Sequence, residues 1–189
     1  MFNLLDINSI RPFVKQILKY KKSGSVLDLG SGVGRHSLFL AKKGFKVTAV
    51  DNKSEFIAAL KELARLQKLP IQLVKDDVTT YLPKKRFDVL ISTMVLHFIP
   101  TKTQMKMIAI MQKHTSKNGL NVLSSYTNKN KKGVRPHPLT PGNLKKLYEK
   151  AGWKILYYNE GLGQPAKDTS NKNKTVRFYK EELIAQNVS

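Results

Sequence analysis

Apolar positions along this chain recur with two alternating periods. Residues 11–22 place Phe13, Val14, Ile17 and Leu18 on one side of a helix, with Ser9 as its N-cap and Gly24 as its stop. The next apolar run, 25–29, is short and continuous, as in a strand buried on both faces. From there the patterns alternate. A helix at about 34–43, closed by Gly44, precedes a strand at 45–50, a helix at 54–67 and strands at 71–76 and 87–92. A helix at 101–116 carries Met105, Ile108, Ala109 and Met111 at helical spacing, and an Asn118-Gly119 turn leads into a strand at 120–126. A lysine- and proline-rich loop, 127–141, is followed by a helix at 142–151 and strands at 153–158 and 175–186.

Strands separated by helices of this length predict a mainly parallel sheet covered on both faces, hence an α/β fold. The last two strands have no helix between them and are expected to pair antiparallel at the sheet edge. The chain reads as one domain over 1–189, with a short N-terminal helical segment at about 9–23.

The first strand runs directly into Gly30-Ser31-Gly32-Val33-Gly34, a glycine turn that opens a helix, and the next strand ends in Asp51. Such a turn allows close backbone approach to a ligand, and an acid after the second strand is placed to accept from a ribose diol. In open α/β sheets ligands lie beyond the C-terminal strand ends. Four groups fall there: the glycine turn, Asp51 with Asn52, Asp76-Asp77-Val78, and Thr93-Met94-Val95-Leu96-His97. One nucleoside-containing cofactor could reach all four. Ser31, Gly34 and Arg35 join the candidate set by position, although Ser31 is expected to act through its backbone. Asp51 reads alternatively as an N-cap for the helix near Ser54, and Asp76 or Asp77 as turn formers. Asp28, inside the first strand, either meets a ligand's ammonium group or braces the turn. His36 is expected to be surface or packing, and His97 to point towards the site.

The composition narrows the chemistry. Apolar residues make up 41% of 189, a globular proportion, and no apolar run approaches the roughly eighteen residues of a membrane span. No charged-then-apolar leader is seen, so a soluble cytoplasmic protein with no membrane partner is expected. Cysteine is absent, which removes disulfides, thiolate metal sites and a cysteine nucleophile. No close ligand spacing joins the histidines and acids into a metal site. No Gly-Lys-Ser/Thr follows the glycines and no Gly-x-Ser-x-Gly is present, so Walker-type phosphate binding and an elbow serine hydrolase are disfavoured. A dinucleotide dehydrogenase is the rival within the fold, but the chain lacks a second domain for a hydride acceptor. The net charge of +21 is uneven, with no acidic residue between Asp88 and Glu149. It points to polyanion attraction that salt would weaken, or to a lysine-rich compositional habit.

The stretch Leu27-Asp28-Leu29-Gly30-Ser31-Gly32-Val33-Gly34-Arg35 resembles motif I of class I S-adenosylmethionine-dependent methyltransferases. Further stretches resemble the tellurite-resistance methyltransferase family: Gly34-Arg35-His36-Ser37-Leu38-Phe39-Leu40-Ala41, the run from Phe87 to Phe98, and Tyr158-Asn159-Glu160-Gly161-Leu162-Gly163. This resemblance implies a Rossmann-like, doubly wound seven-stranded sheet with an antiparallel last strand, and S-adenosyl-L-methionine as cofactor. It implies contacts from Gly30 and Gly32 to the methionine part, Asp51 to the ribose, and Asp77 and Val78 to the adenine. Thr93 would line the path to the methyl group. Family members carry a histidine and an arginine soon after the Tyr-Asn-Glu stretch. Here Gln164-Pro165-Ala166-Lys167 stands there, the histidine is missing and lysine replaces arginine. Lys167 and Arg177, with Lys174, remain candidates to meet an anion.

The expected reaction is displacement at a sulfonium methyl by a small acceptor, a chalcogen oxyanion or a thiol. Positioning would then matter more than side-chain chemistry, with His97 the candidate should a base be needed. Two alternatives remain at this stage. One is an RNA or protein methyltransferase docking its substrate on the basic 102–146 region, through Lys129, Lys131, Lys132 and Arg135. The other is a noncatalytic cofactor- or nucleic-acid-binding module.

Overall fold

The computed structural model describes residues 10–129, 136–163, 166–167 and 175–189. The continuous apolar runs become β1 (Ser25–Leu29), β2 (Lys46–Asp51), β3 (Ile71–Lys75), β4 (Phe87–Thr93), β5 (Thr115–Tyr126) and β6 (Lys154–Leu162). Two short strands, β7 (Ala166–Lys167) and β8 (Thr175–Val176), pair with each other, and β9 (Tyr179–Gln186) returns to the main sheet. That sheet has seven strands in the order β3-β2-β1-β4-β5-β9-β6. Neighbours run parallel except at β9, which is antiparallel to both β5 and β6. The antiparallel last strand is therefore present, wedged between β5 and β6 rather than outermost.

The helices are α1 (Pro12–Lys15), α2 (Ile17–Tyr20), α3 (Arg35–Lys42), α4 (Ser54–Leu66), α5 (Thr101–Lys113) and α6 (Asn143–Lys150). Side chains alternate across a strand, so each strand feeds two cores. Val26, Val47, Val89, Val122 and Ile184 pack with Phe13, Ile17 and Leu40 on one face. Leu27, Leu90, Leu123 and Leu183 pack with Met107 and Met111 of α5 and Leu144 and Tyr148 of α6 on the other. α4 joins through Leu60 and Ala64, which meet Leu38 of α3 and Ala49 of β2.

Several boundaries differ from the sequence expectation, among them β6, which runs on to Leu162. The helix at 11–22 is two four-residue pieces around Gln16, and the chain is already extended at Lys21. Ser9 lies outside the described residues. Gly24 instead serves the start of β1: its φ is +134°, and a Cβ there would stand 2.8 Å from Asp88 Oδ2, which accepts from Ser25 N. α5 stops at Lys113 because Thr115 already pairs with Phe87 in the sheet. The Asn118-Gly119 turn exists as an irregularity within β5, with Asn118 at φ +60° and Leu120 next in register opposite Val89. The run 175–186 splits into β8 and β9 around residues 177–178.

A buried polar relay ties β5 to α6. Thr115 Oγ1 donates to Asn121 Oδ1 at 2.7 Å, and Asn121 Nδ2 donates to Tyr148 Oη at 2.8 Å. Both Asn121 and Tyr148 are fully buried. Tyr148→Phe leaves the Asn121 amide without its acceptor, so it is expected to lower the unfolding free energy by about 1–3 kcal/mol in urea titration.

Candidate functional site

β1 has β2 on one side and β4 on the other, which makes it the point where strand order reverses. A cavity of about 610 Å³ lies at the C-terminal ends of these strands. Gly30 and Gly32 line it from the turn, and Asp51, Asn52, Lys53 and Phe56 from the end of β2 and the start of α4. Asp77, Val78 and Thr79 follow β3, while Thr93, Met94, Val95, Phe98, Ile99 and Pro100 follow β4. All four sequence groups thus contribute to one wall. Lys53, Phe56, Thr79, Phe98, Ile99 and Pro100 were not anticipated.

The glycine turn is bound to the second strand. Gly30 N and Ser31 N both donate to Val50 O, at 2.9 and 3.0 Å. Gly32 N donates to Asp51 Oδ2 at 2.8 Å, and Lys53 N donates to Asp51 Oδ1 at 3.0 Å. The glycines serve separate ends. A Cβ on Gly30 would lie 2.4 Å from Val95 Cγ2, and one on Gly34 2.2 Å from Leu60 Cδ1. Gly34 therefore permits α3 to pack on α4 and does not line the cavity. Gly32 alone of the three faces open space.

Asp77 both lines the cavity and forms a turn, its Oδ1 accepting from Thr79 N at 2.8 Å and Thr79 Oγ1 at 2.7 Å. Asp76 is an exposed turn former whose Oδ1 accepts from Asp77 N. Lys53 Nζ sits 5.0 Å from the Phe56 ring centroid, so the wall by α4 carries a cation over an aromatic face.

Several candidates stand behind the wall. Asp28 is buried and accepts from Ser37 Oγ of α3 at 2.7 Å, which ties β1 to α3. Burial raises its carboxyl from 3.8 to about 7, with Asp51 adding to the rise and the Ser37 bond and Arg35 opposing it. Ser31 and Arg35 do not line the cavity; the Ser31 Oγ is buried with no hydrogen-bond partner. His36 is 4% exposed, both ring nitrogens lack partners, and burial beside Arg35 and Arg11 lowers it to about 3. It is a neutral packing residue.

His97 does not reach the cavity wall. It is 1% exposed, its Nδ1 lies 3.3 Å from Ser125 Oγ, and its ring packs 4.3 Å from Phe98 and 4.7 Å from Tyr126, centroid to centroid. It supports Phe98, which does line the cavity. Arg177 is exposed in the connection between β8 and β9, not in the last strand. Lys167 is in β7, and Lys174, Lys131, Lys132 and Arg135 lie outside the described residues. Lys129 is ion-paired with Glu160.

Two devices that shape the site carry no sequence signal of their own. Met94, straight after β4, holds φ +60° while its N–H donates to Ser124 O at 2.8 Å. A non-glycine residue kept in that region by its surroundings is typical of functional sites. Gln104 of α5, fully buried, brings its Nε2 within 2.8–3.0 Å of the carbonyl oxygens of Leu96, Ile99 and His137 and so clamps the segment after β4. The Tyr158-Asn159-Glu160 stretch is architectural. Tyr158 Oη lies 3.0 Å from Glu160 and 3.3 Å from Glu181, and Glu181 accepts from the backbone at Gly142 and Leu144, where α6 begins.

The raised Asp28 carboxyl gives stability a pH dependence of known sign. The folded state holds the proton more tightly than the unfolded chain, so this contribution is complete below about pH 4 and is lost as pH rises through about 7. Glu181, raised by burial to about 7, adds in the same direction. Asp28→Asn, which can still accept from Ser37, is expected to flatten that decline relative to the parent chain in thermal unfolding measured across this range.

The chain matches the family described as Tellurite resistance protein TehB over residues 3–180. It is 32% identical over 152 residues to a Haemophilus influenzae (strain 10810) protein named "Probable S-adenosyl-L-methionine-dependent methyltransferase TehB". That match covers 79% of this chain and 52% of the relative, so the chain spans about half the length of the curated relatives it matches. The crystal structure of TehB from Haemophilus influenzae superposes with a TM-score of 0.86 at 26% identity, covering 94% of this chain and 62% of that one. Magnesium protoporphyrin IX methyltransferase from Synechocystis PCC 6803 superposes at 0.70 with 18% identity, covering 96% and 78%, a likeness of fold. By the extent of the family match, over residues 3–180, this chain belongs to the TehB family.

Proposed function

We propose that this protein transfers a methyl group from S-adenosyl-L-methionine to a small nucleophilic acceptor. The observation that carries this reading is the wiring of the glycine turn. The amides of Gly30, Ser31 and Gly32 are all turned onto β2, and Gly34 N donates to Ser31 O. A dinucleotide needs such amides for its pyrophosphate. S-adenosyl-L-methionine carries no phosphate, and it needs an open backbone surface, an acid for the ribose and an apolar face for the base. Gly32, Asp51, and Phe56 with Val78 supply these on one wall.

When bound, the cofactor would supply a methyl group on a positively charged sulfur, open to attack by a lone pair. The protein's part is to hold and orient. Asp51 is 8% exposed and both its oxygens already accept backbone N–H groups, so its position is set before any ribose arrives. Asp77 and the Val78 backbone are the candidates for the adenine edge. Phe98, Ile99 and Pro100 give the wall after β4 an apolar surface that limits water. A thiolate or chalcogen oxyanion brings its own nucleophilic lone pair, so no buried base is required. The position of His97 behind Phe98 fits that economy: it is a positioning residue for the wall. The family description supports a chalcogen oxyanion as the first acceptor to test.

Calorimetric titration with S-adenosyl-L-methionine and S-adenosylhomocysteine, against NAD, tests the reading. Micromolar binding of the first two and none of NAD is expected; binding of NAD alone overturns it. A screen of tellurite, selenite, thiols and RNA then assigns the acceptor. Asp51→Ala is expected to weaken cofactor binding by about ten- to a hundredfold, the worth of lost charge-assisted hydrogen bonds. His97→Gln is expected to leave the shape of the pH–rate profile unchanged across about pH 5–8, where a histidine base would titrate. A lost limb in that profile would restore His97 as the base.

A further inference from the structure

The strongest unassigned feature lies at the opposite end of the sheet from the cavity. Six strands run parallel, so the segments that lead into them meet along one rim, and each brings exposed basic residues. Lys22, Lys43, Lys68, Lys85, Lys113 and Lys150 stand ahead of β1, β2, β3, β4, β5 and β6 in turn. Neighbouring strands are about 4.8 Å apart, so seven of them set these charges along a rim of roughly 30 Å. Among the described residues none of the six is in an ion pair. The acids nearby are occupied: Asp88 accepts from Ser25, and Glu149 pairs with Lys145.

Helix dipoles explain part of this. α3, α4, α5 and α6 all end at the rim, and Lys42, Lys113 and Lys150 sit in last turns, where a cation offsets the negative helix end. Lys22 donates to Leu18 O, Lys85 lies over the Phe87 ring and Arg86 donates to Thr115 O, whereas Lys84, Lys117 and Lys154 lie outside helices and need another account. Exposed apolar side chains accompany them. Leu66 ends α4, Leu82 stands two residues before Lys84, and Val188 follows β9, with exposures of 63%, 64% and 48%.

We propose that this rim is a docking surface for an anionic lipid bilayer. No helix among the described residues is long and apolar enough to cross a membrane, so the contact is with the surface. Lysine ammonium groups act as point charges towards headgroup phosphates, and protruding aliphatic side chains add insertion at the boundary. A nucleic acid fits less well. Phosphates in such complexes are positioned by backbone N–H groups, helix N-termini and arginine forks. This rim presents helix C-termini, whose free groups are carbonyls, and of the basic residues named along it only Arg86 is an arginine. Docked this way, the cavity end of the sheet stays turned to solvent and open to a small acceptor.

The test uses the whole chain with vesicles of phosphatidylcholine alone and vesicles containing phosphatidylglycerol, in co-sedimentation at low and physiological salt. Retention on the anionic vesicles only, falling steeply with salt, is expected. The variant Lys84→Glu/Lys117→Glu/Lys154→Glu, at exposed positions outside the helices, is expected to lower that partitioning by at least about tenfold, with an unchanged thermal unfolding midpoint. No retention on either vesicle overturns the proposal, as does equal retention of the variant. Retention on single-stranded RNA but not on the anionic vesicles also overturns it, in favour of a nucleic-acid surface.

Discussion

The carboxylate of Asp51 accepts the amides of Gly32 and Lys53 at 2.8 and 3.0 Å, and these bonds join the glycine turn after β1 to the start of α4 after β2. Much of the site follows from this bridge. With Gly30 and Ser31 also bound to Val50 O, the turn is fastened along its length to the neighbouring strand. Gly30, Ser31 and Gly32 thus have their amides bound within the protein. A glycine-rich turn after a first strand is often read as a phosphate cradle. Here three amides of the turn are committed to β2 and are not available to an anion.

The wall after β4 is held as firmly by different means. Gly30 lets Val95 approach to a distance that no Cβ would allow. Met94 is kept at a positive φ by its bond to Ser124 O, and Gln104 ties together the carbonyl groups of Leu96, Ile99 and His137 from below. His97 fills the space beneath Phe98. The cavity is thus largely pre-formed, which lowers the ordering cost of binding.

The parallel strands and the residues at their ends were legible in the sequence because both depend on local pattern. A continuous apolar run can only be a strand buried on both sides or a buried helix, and flanking glycines and run length separate the two. Gly30, Gly32, Asp51, Asn52, Asp77, Val78 and Thr93 reach the cavity because topology alone sends strand ends there. Gly34, Asp28, Ser31, Arg35 and His97 lie a few residues from that wall yet do not line it, since helix packing turns their side chains or backbone elsewhere. Phe56 and Gln104 were invisible for the opposite reason. Each sits on a helix where an apolar or buried residue is already expected for packing, so nothing in its spacing marks it as belonging to the site. The end of α5 was misjudged because Thr115 pairs with Phe87, a contact between residues far apart in sequence.

The charge shows how placement changes the meaning of a total. As one number, +21 pulls the reading towards a polyanionic substrate, because a basic enzyme suggests an acidic acceptor. The fold distributes that charge by a rule of its own. Helices of an α/β sheet run against the strands, so their C-termini and the lysines that offset them collect at the N-terminal strand ends. The cavity forms at the other end, where Asp51 and Asp77 stand on its wall beside Lys53. Cations at the rim are therefore separated from the reacting end by the length of the strands, five residues in β1 and six in β2, or about 17–20 Å. That exceeds the Debye length of about 8 Å at physiological salt, so the rim contributes little to the potential at the cavity. Acceptor choice must then rest on groups near the wall, and the basic rim calls for a separate physical explanation.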